Sequence, residues 1–178
     1  IWCEGYGAAV ASANTDYWLK EAHNQQLSRA KKEHRCVCAR LEAGALSQMY
    51  DYGAAIRCKT DGDTDTVTVR GALSDIEHVR ADNSAFETQY SLDESGVTVK
   101  AQGGDCRFIL PVVCEWDKAE QTDDRHMLFQ KNGVALKFSS RTPIISVSRI
   151  FNLAPGFCCA EVVIGPDEQN RFEFSIGF

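Results

Sequence analysis

"TVTVRGAL", residues Thr66–Leu73, sets hydrophobes and polar residues at alternate positions. A period of two sends successive side chains to opposite faces of an extended chain, so this stretch reads as a half-buried strand. The same texture continues on both sides. "AAIRCK" leads through the polar "TDGDTD" into it, and "AFETQYSL" (Ala85–Leu92), "DESG" and "VTVKAQ" (Val97–Gln102) follow as a strand, a turn and a strand. A second hairpin is marked more sharply. "RHMLFQ" (Arg125–Gln130) and "VALKFSS" (Val134–Ser140) flank "KNG", in which Asn132-Gly133 supplies the positive φ that a tight hairpin turn requires. "CRFILPVVCEW", "PIISVSRIF", "FCCAEVVIG" and "RFEFSIGF" complete the series. Short strands with polar turns, and no crossovers of helix length, predict a mainly β fold: an antiparallel β-sandwich.

Before Gly53 the texture differs. "NTDYWLKEAHNQQLSRAKK", Asn14–Lys32, opens on the capping residues Asn14, Thr15 and Asp16 and continues with good helix formers. Trp18, Leu19, Ala22, Leu27 and Ala30 form an incomplete apolar stripe, so this is the one N-terminal helix candidate. Residues 1–52 are therefore expected to be an N-terminal segment, partly helical, that packs on a sandwich formed by residues 53–178. The chain begins with Ile1 rather than Met and reads as a processed or truncated piece of something longer.

Composition narrows the function. The 178 residues suit one domain with a substantial core, and 44% hydrophobic residues rule out wholesale disorder. A formal net charge of −6 argues against nucleic acid and against an anionic membrane surface as partners. No apolar run approaches the roughly 20 residues that cross a bilayer. Eight cysteines are many for this length. Cys36 and Cys38, and Cys158 and Cys159, are too close in sequence to bridge within each pair, and Cys106 and Cys114 sit in an apolar stretch where free thiols pack as small hydrophobes. The balance leans to free thiols and a cytoplasmic location, with a secreted, disulfide-linked interaction module as the alternative.

Four constellations could carry chemistry. His34, Cys36 and Cys38 share one side of an extended segment, a soft donor set suited to zinc, but no second pair at metal-ligand spacing completes a tetrahedral site. They read as packed thiols. Asp61, Asp63 and Asp65 in "DGDTD" offer hard oxygens to calcium, yet the glycine and glutamate of a calcium loop are missing and a solvated turn explains them. His23 beside Asn24, with Tyr17 and Arg29 near in sequence, is the only set resembling a base next to a carboxylate-neutralising group. Trp116, bordering the acidic "EWDKAEQTDDRH", is the candidate for stacking on a sugar ring. No cofactor is implied, since P-loop, dinucleotide and zinc-protease motifs are all missing.

From about Thr64 to Phe178 the succession "TVTVRGAL", "CRFILPVV", "GVALKFSS", "SRIFNLAPGF" and "EVVIGPDEQNRFEFSIGF" resembles the carboxy-terminal β-sandwich region of polysaccharide-processing proteins, the heparinase II/III-like lyases being the nearest comparison. That resemblance implies a helical toroid upstream, an active cleft between toroid and sheets, and a Tyr or His base acting on a uronate. It transfers no catalytic residue to this chain. The expected function is an accessory or carboxy-terminal domain of a glycan-degrading protein, with an upstream domain and polysaccharide as partners and no complete active site of its own. The alternative is a catalytic fragment of a lyase using His23, Tyr17 and Arg29.

Overall fold

The computed structural model describes residues 39–154 and 156–177 (151–154 by backbone alone), and the backbone of Trp2–Cys3 and Ala8–Ala9. Among the described residues those two dipeptides, β1 and β2, pair with each other. The remaining strands form one 13-stranded antiparallel sheet. They are β3 (Arg40–Ala43), β4 (Leu46–Ser47), β5 (Ala55–Asp61), β6 (Thr64–Ser74), β7 (Arg80–Asp93), β8 (Gly96–Gln102) and β9 (Arg107–Cys114). Then come β10 (Glu120–Gln121), β11 (His126–Lys131), β12 (Val134–Ser140), β13 (Ile144–Ala154), β14 (Phe157–Ile164) and β15 (Arg171–Gly177). Two short 3-10 turns, Gln48–Tyr50 and Trp116–Lys118, are the helical elements among the described residues. The expected helix at Asn14–Lys32 lies outside them.

The order in space is β10-β11-β12-β15-β8-β7-β6-β4-β3-β9-β14-β13, with β5 paired to β6 beside β4. β3 and β4, from the segment before Gly53, thus enter the sheet between β6 and β9. The sheet curls until its own faces meet. Rings of Phe108 in β9 and Phe172 and Phe174 in β15 touch across the interior, although five strands separate β9 from β15 along the sheet. The mainly β, antiparallel sandwich read from the sequence is therefore present, with its two layers continuous through β6 and β4.

Alternation explains which residues enter the core. In β6, Val69 and Leu73 are buried while Arg70 is exposed, as the period of two requires. In β7 the even positions Phe86, Thr88 and Tyr90 face inward. Phe108, Phe129, Phe138 and Phe172 are among the largest fully buried side chains, each stabilising the fold by about 1.5–3 kcal/mol through burial. β9 and β14 break the alternation. Ile109 and its register partner Val163 are buried although they point away from the core that Phe108, Leu110 and Val162 enter. Strands covered on both faces read as unbroken apolar runs, and this accounts for "FILPVVC".

Both hairpins close as the turn residues dictate. Lys131 pairs with Val134, and Asn132 and Gly133 take φ of 52° and 79° between them. Asp93 pairs with Gly96 at the β7–β8 turn, where the Asp93 carboxylate accepts from the Ser95 N–H at 2.8 Å.

Candidate functional site

The outward faces of β7, β8 and β15 carry polar residues in register. Glu87, Gln102 and Arg171 form one row across the three strands, and Gln89, Lys100 and Glu173 form the next. Arg141 and Thr142, just past the end of β12, wall one side, and Asp167 closes another. Together they line an open groove of about 420 Å³.

Thr142 is buried, its hydroxyl donating to the Gly165 carbonyl at 2.6 Å, so the segment that presents Arg141 is held in place. Arg141 N–H also donates to the Glu173 carbonyl at 2.8 Å. Its guanidinium reaches the Glu173 carboxylate at 2.9 Å, and Lys100 approaches the other carboxylate oxygen at 3.5 Å. The Arg141 hydrogen bond, reinforced by Lys100, holds the Glu173 carboxyl below its usual range against the opposing effect of burial. Arg171 pairs with Asp167 at 3.0 Å. Backbone N–H groups of Arg171 and Gln169 also bond Asp167, and the Arg171 N–H does most to lower its pKa.

These pairs are lopsided in exposure. Arg141, Lys100 and Arg171 side chains are 73%, 63% and 54% exposed, against 37% for Glu173 and 29% for Asp167. Three cations and three carboxylates line the groove, formally neutral in a chain of charge −6, and the cations hold the outer positions. Such a surface offers guanidinium forks, an ammonium and the amides of Gln89 and Gln102 to carboxylate and hydroxyl groups.

Of the residues singled out from the sequence, those that the structure describes lie elsewhere. Trp116 opens the 3-10 turn after β9, half-buried with its side chain packed against the core, and does not line the groove. Asp61, Asp63 and Asp65 are exposed at the β5–β6 turn, where Asp61 pairs with Lys59 at 2.9 Å and Asp65 accepts from the Thr60 hydroxyl at 2.6 Å. Among the described residues no group of three or more His, Cys, Asp or Glu side chains is placed to hold a metal ion. Tyr17, His23, Arg29, His34, Cys36 and Cys38 lie outside the described residues. Of the described cysteines, Cys58, Cys106, Cys114 and Cys158 are free thiols, and the Cys159 thiol donates to the Ala160 carbonyl at 3.8 Å. Sequence reasoning missed the groove because its residues come from four separate segments. The one available signal was the polar half of "VTVKAQ" and "RFEFSIGF", the side facing away from the core.

A family model, the ulvan lyase C-terminal domain, matches residues 1–178. The chain belongs to that family. An ulvan lyase C-terminal domain is an accessory domain of a glycan-degrading polysaccharide lyase, in agreement with the function expected from the sequence. No curated protein matches the chain. No helix among the described residues is long and apolar enough to cross a membrane.

Proposed function

We propose that this lyase domain holds part of a uronate-bearing polysaccharide chain on the outer face of β7, β8 and β15, beside an upstream domain that performs the cleavage. The observation that carries this reading is the outward placement of Arg141, Lys100 and Arg171 around one open groove, each more exposed than the carboxylate it pairs with. A uronate carboxylate competes with Glu173 and Asp167 for those cations, and the flanking amides take sugar hydroxyls. The groove volume suits a short run of sugar units rather than a whole polymer. Within the lyases, the heparinase II/III-like arrangement of toroid and sandwich is the architecture we propose for the parent protein.

Affinity electrophoresis through gels containing a uronate polysaccharide tests the reading. The chain is expected to be retarded, and retardation should weaken as salt is raised, since exposed charges are screened. Removing both cations at Glu173, Lys100→Ala with Arg141→Ala, should cut the affinity by roughly tenfold. Unchanged retardation of that double variant would end the proposal.

A further inference from the structure

A second feature lies far along β7 from the groove, where the β6–β7 connection meets the segment before β5. Tyr52 is exposed, and its ring stacks on the imidazole of His78 with centroids 3.9 Å apart and planes 26° from parallel. The tyrosine has half of its surface in solvent, an unusual position for a ring so firmly supported.

The support is built from several sides. Asp51, beside Tyr52 in sequence, is buried, and its carboxylate accepts from Arg80 Nε at 2.9 Å and from the N–H groups of Gly53 and Ala72 at 3.0 and 2.8 Å. Gly71 admits that carboxylate, because a Cβ there would stand 2.2 Å from Asp51 Oδ2. This pins the segment bearing Tyr52 to both β6 and β7. On the other side, Asp75 accepts from the N–H groups of Glu77 and Val79 at 2.9 and 3.0 Å, and its own N–H donates to the Val79 carbonyl at 3.0 Å. That tight turn leaves His78 at φ 67°, a region costly for a residue with a side chain. His78 Nδ1 lies 2.9 Å from the Tyr50 carbonyl, which fixes the ring's direction and makes Nδ1 the protonated nitrogen. Backbone strain kept at a half-buried position by this many bonds marks a place where a side chain is held in a set direction.

Ile76 and Val79, both exposed, flank His78 in the β6–β7 turn, and Arg80, half-exposed, pairs with Asp51 next to Tyr52 in sequence. A flat, rigid aromatic face with apolar neighbours and one cation at its margin matches the chemistry of a pyranose ring. The sugar's axial C–H groups lie on the aromatic face, and its polar substituents reach outward to the cation. Because the rings are fixed before binding, little ordering entropy opposes contact.

We propose that the Tyr52–His78 stack is a second saccharide subsite, taking a pyranose unit of the same polymer by aromatic stacking. This rests on the reading that the domain contacts polysaccharide but uses different forces from the groove. Groove binding is ionic and falls with salt, whereas stacking persists.

The experiment is titration of the chain with a uronate-containing oligosaccharide at low and at high salt, with saturation-transfer NMR detecting sugar C–H protons that lie on aromatic rings. Binding that survives high salt should weaken roughly tenfold in Tyr52→Ala and stay near the parent level in Tyr52→Phe, which keeps the ring. His78→Gly, which relieves the backbone strain while removing the underlying ring, should also weaken it. Tyr52→Ala binding as tightly as the parent at both salt levels, or no saturation transfer to sugar C–H protons, would overturn the proposal. If the groove reading alone is wrong, Lys100→Ala with Arg141→Ala leaves binding unchanged while the Tyr52 dependence remains.

Discussion

The ring of Phe108 in β9 meets the ring of Phe174 in β15 nearly edge to face, with centroids 4.9 Å apart and planes at 69°. Residues 66 positions apart are joined here across the interior rather than along the hydrogen-bonded sheet. Phe174 also lies 5.5 Å from the ring of Phe138 in β12, so the contact ties β9 to the β12–β15 side of the sandwich. Phe108→Ala should lower stability by about 3–5 kcal/mol through lost burial and the cavity left behind. A double-mutant cycle with Phe108→Leu and Phe174→Leu should return a coupling of about 0.5–1.5 kcal/mol, read from urea unfolding. Additive single effects would mean that the layers do not meet at this point.

Thr88 is the misfit of the core. It faces inward between Phe86 and Tyr90, fully buried, and its hydroxyl has no hydrogen-bond partner among the described residues. Its register partners are Val69 and Ala101, both apolar. Thr88→Val keeps the branched shape and removes the unsatisfied oxygen, so stability should hold or rise by about 1–2 kcal/mol. A fall in the urea midpoint would show that the hydroxyl is satisfied in solution.

Thiol chemistry should divide the described cysteines sharply. Cys58 is exposed on β5, whereas Cys106, Cys114, Cys158 and Cys159 are buried. Burial pushes the Cys114 thiol up to about 12, with the neighbouring Cys158 thiol 3.9 Å away adding to the effect, and pushes Cys106 up to about 11. At Cys106 and Cys114 the reactive thiolate is therefore scarce at neutral pH in the folded chain. Brief alkylation followed by peptide mapping should label Cys58 in the native protein, and Cys106, Cys114 and Cys158 only after unfolding. Native labelling at Cys114 comparable to that at Cys58 would contradict the packing of β9 on β14.

Acid should loosen the walls of the groove. The folded-state pKa of Glu173 lies below the ordinary 4.5 and that of Asp167 below 3.8. A depressed carboxyl stabilises the fold fully above its unfolded pKa and loses that contribution as pH falls through the folded value. Stability should thus decline on titration below about pH 4.5 for Glu173 and below about pH 3.8 for Asp167, by a modest amount because the partners are exposed. Arg141→Ala removes the principal cause at Glu173, so its unfolding midpoint should change less between neutral pH and pH 3. An equally steep decline in that variant would assign the acid sensitivity to other carboxylates.

The extent to which the site could be read from the chain follows from how local each signal is. The Asn132-Gly133 turn and the alternation of Thr66–Leu73 are encoded within a few residues, and both appear where the sequence places them. Trp116 was attractive because it neighbours acidic residues, yet a tryptophan next to a polar stretch packs its large apolar surface inward when a core edge is near. Arg141 and Lys100 carry no motif at all. They become a pair only because β8 and β15 lie side by side and the end of β12 bends over them. Tyr52 and His78 are likewise brought together by the β6–β7 turn and by the buried Asp51 carboxylate.

The order of residues alone determined that this chain forms antiparallel strands, which positions enter the interior, and where the hairpins turn. These are consequences of side-chain alternation and local backbone preference, which act over neighbouring residues. Tertiary structure decided that one sheet curls to supply both layers, that Phe108 finds Phe174, and that separated polar residues converge on a groove and a stacked ring pair. Those outcomes depend on strand order and twist, which arise from the summed burial of distant surfaces and leave no pattern in any short stretch of sequence.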